Sequence, residues 1–383
     1  MARISARSEA DVVEAVRSAR DAKRTLEIAG RGSKRGYGRP VECDDMLDLS
    51  GLSGILKYEP DELVITVLAG TPVVEIEAAL AEKNQRLGFE PADWGPLFGS
   101  PANSATIGGA LAADTSGSAA IRYGRARDHL LGFRAVNGLA EVYKAGGRVV
   151  KNVTGFDLPK LMCGAMGTLG PLTEVTLRVF PKPAQSIGFV LRNLAPADGL
   201  GVLRRVWSSP LEATGLAYLS NAAASVLPGN LGALIRLEGS ASSLKQMGAM
   251  LRTLLPGHDI EEIGDSDGVF HKLSAGSVFA DTPLHVWRIH LPPTRAGEFI
   301  AAADTPLWWA DWAGSLLWLA AAGQADVRGL VHQFEGRAVL MRASETERRR
   351  LAVFEPEDAV RAQLTRQVKV AFDPLGLFNP GRM

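Results

Sequence analysis

The sequence predicts an α+β protein with two domains. Short strand-like runs and amphipathic helices are mixed up to Pro183, where the segment PKP closes the first region. Beyond it, strand-like runs are joined by helices, which is typical of an antiparallel sheet in an α+β domain. The 383 residues are enough to bury more than one hydrophobic core. We therefore expect a first domain at 1–183, a second α+β domain at 184–345, and a helix with a Pro/Gly-rich tail at 346–383.

The first domain begins with a helix signal. Ser8 is a good N-cap residue with Asp11 three positions later, and the apolar repeat that follows predicts a helix to about Ala22. The runs TLEIAG, MLDL and ILKYEPDELVITVLAG then predict short strands, with a turn at the PD pair of the last run. Thr71, followed by proline, predicts the start of a second helix, VVEIEAALAEKN, which should stop near Gly88.

The remaining elements follow from turn residues and alternation. The run HLLGFRAVNGLAEVYKAGG predicts a hairpin, because Asn137-Gly138 is the residue pair that a type I′ turn requires. FDLPKLMCGAMG predicts a short helix that ends in glycine, and GPLTEVTLRVF alternates like a strand. In the second domain the predicted strands are SIGFVLRNL, TGLAYLSN, GALIRLEG, LHVWRIHLP and RAVLMRA, and SSLKQMGAMLRTLL predicts a helix.

Charge and cysteine content exclude several classes of protein. The 42 Lys and Arg residues balance the 42 Asp and Glu residues, which argues against a nucleic-acid partner held by a basic field. Cys43 and Cys163 predict neither a disulfide framework nor a zinc site, and two buried reduced thiols suit a reducing cytosol. The charged start MARISARSEADVVEAVRSARDAK lacks the apolar core of a secretory signal, and SLLWLAAAG is too short to span a bilayer. We therefore expect a cytoplasmic protein without an integral membrane segment.

The first candidate site is IAGRGSKRGYG, at 28–38. A predicted strand delivers the chain into the segment 30–33, where glycine allows a positive φ and successive N–H groups can converge on an anion. Arg31, Lys34 and Arg35 add positive charge, so a pyrophosphate would fit. The glycine spacing matches neither a Walker A loop nor a Rossmann fingerprint. A mobile glycine-rich surface turn is the alternative.

The second candidate site is GSPANSATIGGALAADTSGSAAIRYG, at 99–124. Its SATIGGALAA segment can form a short helix in which Gly108 and Gly109 let a flat ligand approach the backbone. Hydroxyl, N–H and cationic donors follow at Thr115, Ser116, Gly117, Arg122 and Arg127. Tight helix packing on small residues is the alternative for this stretch.

The third candidate site is CGAMGTLGPLTEV, at 163–175. Gly164, Gly167 and Gly170 break the chain into a loop before a buried strand. The loop could present a backbone-lined edge to a ligand, and it could equally be a plain turn.

The combination of these loops resembles a known family. Three glycine loops beside short strands, all before Pro183, resemble the FAD-binding domain of the vanillyl-alcohol oxidase / para-cresol methylhydroxylase (PCMH) superfamily. VVKNVTGFDLPKLMCGAMGTLGPLTEVTLRVFPKP is similar to the FAD-binding subunit of bacterial glycolate oxidase, and FDPLGLFNPGRM is similar to the superfamily's closing DP…G.LNPGK segment. The resemblance implies a PCMH-type FAD-binding domain at 1–183, a cap domain built on an antiparallel sheet at 184–345, and a tail at 346–383 that returns to the FAD-binding domain.

The resemblance also implies which residues contact FAD. Those expected at the pyrophosphate are Ala29, Gly30, Arg31, Gly32, Ser33 and Lys34. Those expected along the flavin and diphosphate are Ala105, Thr106, Gly108, Gly109, Thr115, Ser116, Gly117, Tyr123, Gly124 and Asp128. Those expected near the adenosine are Gly167, Thr168, Gly170 and Glu174. Asn379, together with Arg382, is expected to approach the isoalloxazine.

The same resemblance predicts noncovalent FAD. Relatives that attach FAD covalently use a histidine in the first loop, whereas residues 31–34 of this chain read RGSK. Neither cysteine stands at a position that matches a second covalent link.

Catalytic residues are harder to assign. The self-sufficient D-2-hydroxy-acid dehydrogenases of the superfamily carry an H-x-G-D-G-N-x-H motif, and none of the six histidines here stands in one. The strand HVWRIHLP places Arg288 and His290 on one face, and a guanidinium can bind a substrate carboxylate in bidentate fashion. A solvated or salt-bridged strand face is the alternative. Arg288 and His290 are therefore the catalytic candidates, and no metal site is predicted.

The resemblance implies the function and the partners. The chain should be the FAD-binding subunit of a glycolate-oxidase-type complex that oxidises glycolate, or another short 2-hydroxy acid, to the 2-oxo acid. Its partners should be a second flavoprotein subunit and an iron–sulfur subunit, with contact with the inner face of the membrane through the complex. The tryptophan-rich segment 308–318 is the candidate docking surface, and burial of its tryptophans in the core is the alternative. Two alternatives stay open: a self-contained D-lactate-type dehydrogenase, and a non-catalytic subunit that holds FAD or relays electrons.

Overall fold

The structure, a computed structural model, describes residues 1–147, 156–225 and 232–383. The helices within these ranges are α1 Glu9–Asp21, α2 Val73–Ala81, α3 Ile107–Ala112, α4 Ala120–Tyr123, α5 Ala126–His129, α6 Leu158–Met162, α7 Pro196–Trp207, α8 Asn221–Ser225, α9 Ala241–Leu254, α10 Ser266–Ser274, α11 Ala296–Ala303, α12 Val327–Gln333, α13 Glu345–Arg350 and α14 Ala359–Phe372. The strands are β1 Ala2–Ser5, β2 Leu26–Ala29, β3 Asp45–Asp48, β4 Ile55–Glu59, β5 Val64–Leu68, β6 Gln85–Arg86, β7 Leu130–Val136, β8 Val142–Gly146, β9 Leu172–Arg178, β10 Phe180–Pro181, β11 Gln185–Leu191, β12 Gly215–Leu219, β13 Ala233–Gly239, β14 Glu261–Ile263, β15 His285–His290, β16 Trp308–Asp311, β17 Leu316–Ala321 and β18 Arg337–Arg342. Over the same ranges, no helix has both the length and the apolar character needed to cross a membrane.

These elements form two compact units. The first comprises residues 1–116, 124–182 and 356–383, and the second comprises 117–123 and 183–355. The first unit thus ends beside the predicted boundary, whereas the small-residue stretch at 99–124 is divided between the units. Residues 346–355, which the sequence assigned to the tail, belong to the second unit because Val353 lies in its hydrophobic core and accepts a backbone hydrogen bond from Leu340.

The described part of the first unit contains three sheets, one of which is the two-stranded pair of β6 and β10. Strands β1, β3 and β2 form a parallel sheet in that order, and β4, β5, β9, β7 and β8 form an antiparallel sheet. Ser8 and Asp11 form a capping box that starts α1 as predicted. Glu9, in the first turn of α1, accepts hydrogen bonds from Arg134 on β7 and Thr173 on β9, so the helix is tied to the second sheet.

The second predicted helix differs from its prediction at both ends. Thr71 does not cap α2, because its hydroxyl donates to the Leu68 carbonyl at 2.6 Å. The helix ends at Ala81, well before Gly88, because residues 85–86 form β6 and pair with β10. Tertiary pairing thus overrides a sequence that would extend the helix.

The predicted hairpin forms, but not its type I′ turn. Strands β7 and β8 pair up to Val136 and Val142, so the loop contains residues 137–141. The Asn137 side chain accepts the N–H groups of Leu139 and Glu141, both at 2.9 Å. The residue with positive φ is Ala140, at 63°, and not Gly138. Asn137 therefore closes this turn through the hydrogen bonds of its side chain, and its own backbone is not left-handed.

The second unit is built on one large antiparallel sheet. Its strand order is β14-β11-β13-β12-β16-β17-β15-β18, and each neighbouring pair is antiparallel. One face packs on α7, α9, α11 and α12 through a core that includes Leu203, Leu251, Phe299 and Val331. The predicted α+β class with an antiparallel second domain is confirmed.

The tryptophan-rich segment is part of this sheet. Trp308 stacks on Tyr218 with ring centroids 5.5 Å apart, and Trp309 stacks on Trp318 at 6.1 Å. All three tryptophans are buried, because β16 and β17 are interior strands of the sheet. The expectation that segment 308–318 forms a docking surface was therefore wrong for these side chains. Trp312, in the turn between the strands, is partly buried.

Trp309→Ala should test this assignment to the core. The side chain is 1% exposed, so its removal should leave a cavity and cost about 3–5 kcal/mol of stability. Trp207 is 50% exposed, and Trp207→Ala should cost no more than about 0.5 kcal/mol. Thermal and urea unfolding of both variants measures the difference. Equal stability of the two variants would contradict the burial of Trp309.

Candidate functional site

A cleft opens in the first unit. It lies where the loop after β2, the start of α3, the turn before β9 and the tail meet. The sequence-predicted residues that line it are Ala29, Gly30, Arg31, Gly32, Ser33, Lys34, Thr106, Gly108, Gly109, Gly167, Gly170, Asn379 and Arg382. Residues far apart in the sequence are thus brought to one surface.

The glycine loop, residues 30–36, presents unused backbone donors. Within the described chain, the N–H groups of Gly32, Ser33 and Lys34 donate no hydrogen bond. Gly32 has a φ of +76°, which a side chain would strain. Successive N–H groups in such a turn form a concave site that attracts an anion.

Lys34 places a buried charge beside these donors. Its side chain is 9% exposed, and its ammonium donates to the Ser33 hydroxyl at 3.2 Å. Burial lowers the pKa of Lys34 to about 8, against the opposing influence of the Asp93 carboxylate. Asp93 is itself held by the N–H groups of Gly95 and Asn103. A buried ammonium with one neutral hydrogen-bond partner is costly, and an anion in the cleft would offset that cost.

Two neighbouring glycines of α3 have different roles. A Cβ at Gly108 would lie 2.8 Å from the Ala69 carbonyl oxygen, so this glycine allows close backbone packing. A Cβ at Gly109 would lie 3.1 Å from the Thr106 hydroxyl and 3.9 Å from the Lys34 ammonium. Gly109 therefore borders the cleft on the side of the buried charge. Thr106 caps the helix by accepting the Gly109 N–H at 3.3 Å.

The turn before β9 and the tail close the other side of the cleft. Gly167 and Gly170 have φ values of +71° and +133°. The Asn379 side chain accepts the Ile28 N–H at 2.8 Å and donates to the Met166 carbonyl at 2.7 Å. Asn379 thus joins β2 to this turn, and both ends of its amide are used by backbone groups.

Other predicted contact residues lie outside the cleft. Those in the first unit are Ala105, Thr115, Ser116, Gly124, Asp128, Thr168 and Glu174, and those in the second unit are Gly117 and Tyr123. Ser116 accepts the Ala126 N–H, and Asp128 accepts the Arg125 N–H, so both hold local backbone. The family-like stretch VVKNVTG, at 149–155, lies outside the described residues.

The sequence did not single out several apolar residues that line the cleft. These are Ile28, Leu49, Ala69, Ala112, Ala113, Met162, Ala165, Met166 and Leu172. Six of them lie within the three candidate stretches. Leu49, Ala69 and Met162 lie outside those stretches and follow the pattern of ordinary core residues, so no local signal marks them as part of a cleft.

The catalytic candidates lie on β15 of the second unit. Arg288 is 7% exposed, and its guanidinium lies 5.8 Å and 6.0 Å from the ring centres of Trp312 and Trp318. Burial excludes the solvated part of the alternative for Arg288, and the salt-bridged part stays open. The His290 ring lies 5.8 Å from that of Trp312. A catalytic role for Arg288 or His290 stays a prediction.

The thiols and carboxylates form no metal centre in the part of the chain that the structure describes. No group of three or more His, Cys, Asp or Glu side chains there could hold a metal ion. Cys43 and Cys163 are free thiols and only partly buried, where full burial was expected. Desolvation raises the pKa of both thiols, so neither is disposed to act as a thiolate.

Comparison with known proteins identifies the fold and its class. A family described as FAD binding domain matches residues 2–146. The structure of p-cresol methylhydroxylase with substrate bound is similar with a TM-score of 0.76 at 16% identity, covering 99% of this chain and 88% of that one. A 4-ethylphenol oxidase from Gulosibacter chungangensis gives 0.72 at 15% identity, with the same coverage. The chain thus contains an FAD-binding domain and has a PCMH-type fold, as predicted.

Sequence relatives narrow the class to one family. Glycolate oxidase subunit GlcE of Escherichia coli is 33% identical over 374 residues, which is 97% of this chain and 96% of that subunit. Glycolate oxidase subunit GlcD of Bacillus subtilis is 30% identical over 144 residues, which is 38% of this chain and 29% of that subunit. The chain belongs to the family of the glycolate oxidase subunit GlcE, and the resemblance noted in the sequence is confirmed.

Gly109→Val should weaken FAD binding by tenfold or more, because its side chain would occupy the cleft beside the Lys34 ammonium. Fluorescence titration of the FAD-free protein measures the affinity. Gly264→Val is the control, since a Cβ there meets nothing within 4 Å. A loss of stability in Gly109→Val without a loss of FAD affinity would identify position 109 as a packing glycine.

Proposed function

We propose that the chain is the FAD-binding subunit of a glycolate-oxidase-type complex and takes part in the oxidation of glycolate, or another short 2-hydroxy acid, to the 2-oxo acid. The observation that carries the proposal is the glycine loop with its unused N–H groups beside the buried Lys34 ammonium. The 33% sequence identity to GlcE over 97% of the chain supports the choice of reaction. When bound, FAD accepts a hydride from the carbon that carries the hydroxyl group and passes the electrons on.

The residues of the cleft suit the parts of FAD. The N–H groups of Gly32, Ser33 and Lys34, with the Lys34 ammonium, would hold the diphosphate because they combine aligned donors with positive charge. Gly109 and the small side chains of α3 would admit a flat ring against the backbone.

The bound FAD is proposed to be noncovalent. Segment 31–34 offers no histidine, and Cys163 does not line the cleft. The cofactor would therefore depend on the diphosphate contacts and on apolar burial for its affinity.

The chain is proposed to need partners for turnover. Hydride transfer requires the α-carbon placed against the flavin and a base for the hydroxyl proton. The sequence has no H-x-G-D-G-N-x-H motif, and the described contacts of the Arg288 guanidinium are with the Trp312 and Trp318 rings. We assign the missing base to a second flavoprotein subunit and electron removal to an iron–sulfur subunit, in a cytoplasmic complex that contacts the inner face of the membrane.

The affinity for FAD should fall as the pH rises above about 8. In the free protein Lys34 loses its proton near that pH, whereas a bound diphosphate favours the protonated ammonium, so binding takes up a proton. The affinity should decrease by up to about tenfold per pH unit above this value.

The unfolded chain holds the Lys34 proton more tightly, so this residue should make the free protein more stable as the pH rises from about 8 toward the ordinary lysine pKa.

Variants at position 34 isolate this proton. Lys34→Met should bind FAD weakly at every pH, and its affinity should no longer depend on pH. Lys34→Arg should keep its positive charge throughout this range, so its affinity should also be independent of pH. Lys83→Met, at an exposed lysine, should behave as the unmodified protein. Titrations between pH 6.5 and 9.5 provide the comparison, and an unchanged pH profile in Lys34→Met would exclude Lys34 from the anion site.

The isolated protein loaded with FAD should not reduce its flavin rapidly with glycolate or D-lactate. The chain supplies residues for the cofactor but no identified base, so the half-reaction should be far slower than ordinary turnover, about 1–1000 per second. An anaerobic stopped-flow measurement of flavin absorbance tests this. Rapid bleaching would show a complete active site and replace the proposal with a self-contained dehydrogenase. Addition of the partner subunits should restore rapid reduction.

A further inference from the structure

Arg382 lies against the glycine loop on the side of the tail. Its side chain is 8% exposed, and one guanidinium nitrogen donates to the Lys34 carbonyl at 3.1 Å and to the Arg35 carbonyl at 3.4 Å. Its own carbonyl accepts the Arg39 N–H at 3.0 Å. Arg382 therefore holds the backbone within the glycine loop, at Lys34 and Arg35, and the backbone just after the loop, at Arg39.

The geometry of a peptide unit gives this contact a consequence. The C=O and N–H groups of neighbouring units have fixed directions, so holding two successive carbonyls limits the rotation of the loop backbone. The Lys34 carbonyl also accepts the Tyr37 N–H at 3.0 Å, which closes the turn on the same residue. Because these bonds fix the backbone of Lys34, they also fix where its ammonium side chain begins.

The tail that carries Arg382 is anchored independently of the glycine loop. The Asp373 carboxylate accepts the N–H groups of Leu377 and Phe378 at 2.9 and 2.8 Å. The Lys369 ammonium donates to Asp373 at 2.5 Å, to the Phe378 carbonyl at 3.0 Å and to the Thr168 carbonyl at 2.6 Å. The tail is thus a fixed support from which Arg382 reaches the loop.

We propose that Arg382 is a positioning residue for FAD. It presets the glycine loop so that the N–H groups of residues 32–34 and the Lys34 side chain face the diphosphate, and it acts through the loop backbone that it holds. Docking of the tail and binding of FAD then favour each other, and by thermodynamic linkage the effect is equal in both directions. The inference rests on the proposed function, because it takes FAD as the occupant of the cleft.

Substitution of Arg382 tests the proposal through the rate of FAD release. Arg382→Met should release FAD about tenfold faster or more, because hydrogen bonds from a charged donor to the loop are lost. Arg382→Lys should restore part of the effect, since an ammonium can reach one carbonyl but lacks the planar fork. Arg361→Met is the matched control, because Arg361 is an exposed arginine whose ion pair with Asp358 is on the surface. Fluorescence of free FAD after dilution gives each rate.

Hydrogen exchange separates positioning from general stability. In the FAD-free protein, Arg382→Met should speed exchange at Arg35 and Tyr37, whose N–H groups are hydrogen-bonded to carbonyls of the loop, while exchange in β5, β7 and β9 stays unchanged. In the unmodified protein, FAD should slow exchange at residues 377–379, and Arg382→Met should lose that protection. Uniformly faster exchange throughout the first unit would overturn the inference in favour of a structural role.

The outcomes distinguish this inference from the proposed function. If the unmodified protein binds FAD and Arg382→Met releases it at the same rate, the positioning role fails and the proposed function stands. If the unmodified protein binds no FAD, the proposed function fails and this inference fails with it. If Arg382→Met does not fold, Arg382→Lys decides, and release at the unmodified rate would overturn the inference.

Discussion

The buried ammonium of Lys34 is the constraint around which the cleft of the first unit is arranged. A charge removed from water needs a counter-charge or hydrogen-bond acceptors, and the described part of the chain supplies one serine hydroxyl and the field of Asp93. Unused N–H groups of the same loop add further positive potential to the same region. The protein therefore maintains a site that is unfavourable when empty and becomes favourable with an anion, which is how binding energy is stored in a preorganised site.

Close packing of backbone makes that arrangement possible. Gly108 lets α3 approach the Ala69 backbone, which brings the Thr106 cap and Gly109 to the rim of the cleft. Asn379 joins β2 to the turn at Met166, and these two segments could not otherwise be held at this separation without unpaired polar groups. Small residues and one amide thus build a wall with few side chains, which suits a long, flat cofactor.

The second unit follows a different principle. Its sheet buries large aromatic side chains, with Trp308 on one face and Trp309 stacked on Trp318 on the other. Arg288 is accommodated in this apolar environment by lying over tryptophan rings, where the ring quadrupole partly replaces hydration. The large sheet has enough apolar surface to bury several tryptophans, so tryptophans that are clustered in the sequence need not be exposed.

Much of the local structure could be predicted from the sequence because its determinants are local. The capping box at Ser8, the strand before the glycine loop and the helix after Thr106 depend on neighbouring residues. The glycine loop and Lys34 could be singled out as candidates for an anion site for the same reason. The length of α2 and the turn after β7 could not, because β6 pairs with a distant strand and Asn137 closes its loop through a side chain.

The sequence by itself determined the family, the α+β class and the zero net charge of the chain, and it provided the candidate residues for an anion site. Only the tertiary structure decided that Lys34 is buried, that Asn379 and Arg382 serve the backbone of the cleft, and that the tryptophans of β16 and β17 are core. The physical reason is the distance along the chain over which each kind of interaction acts. Turn chemistry and capping act within a few residues, whereas burial and hydrogen bonding between segments separated by hundreds of residues depend on how the whole chain packs.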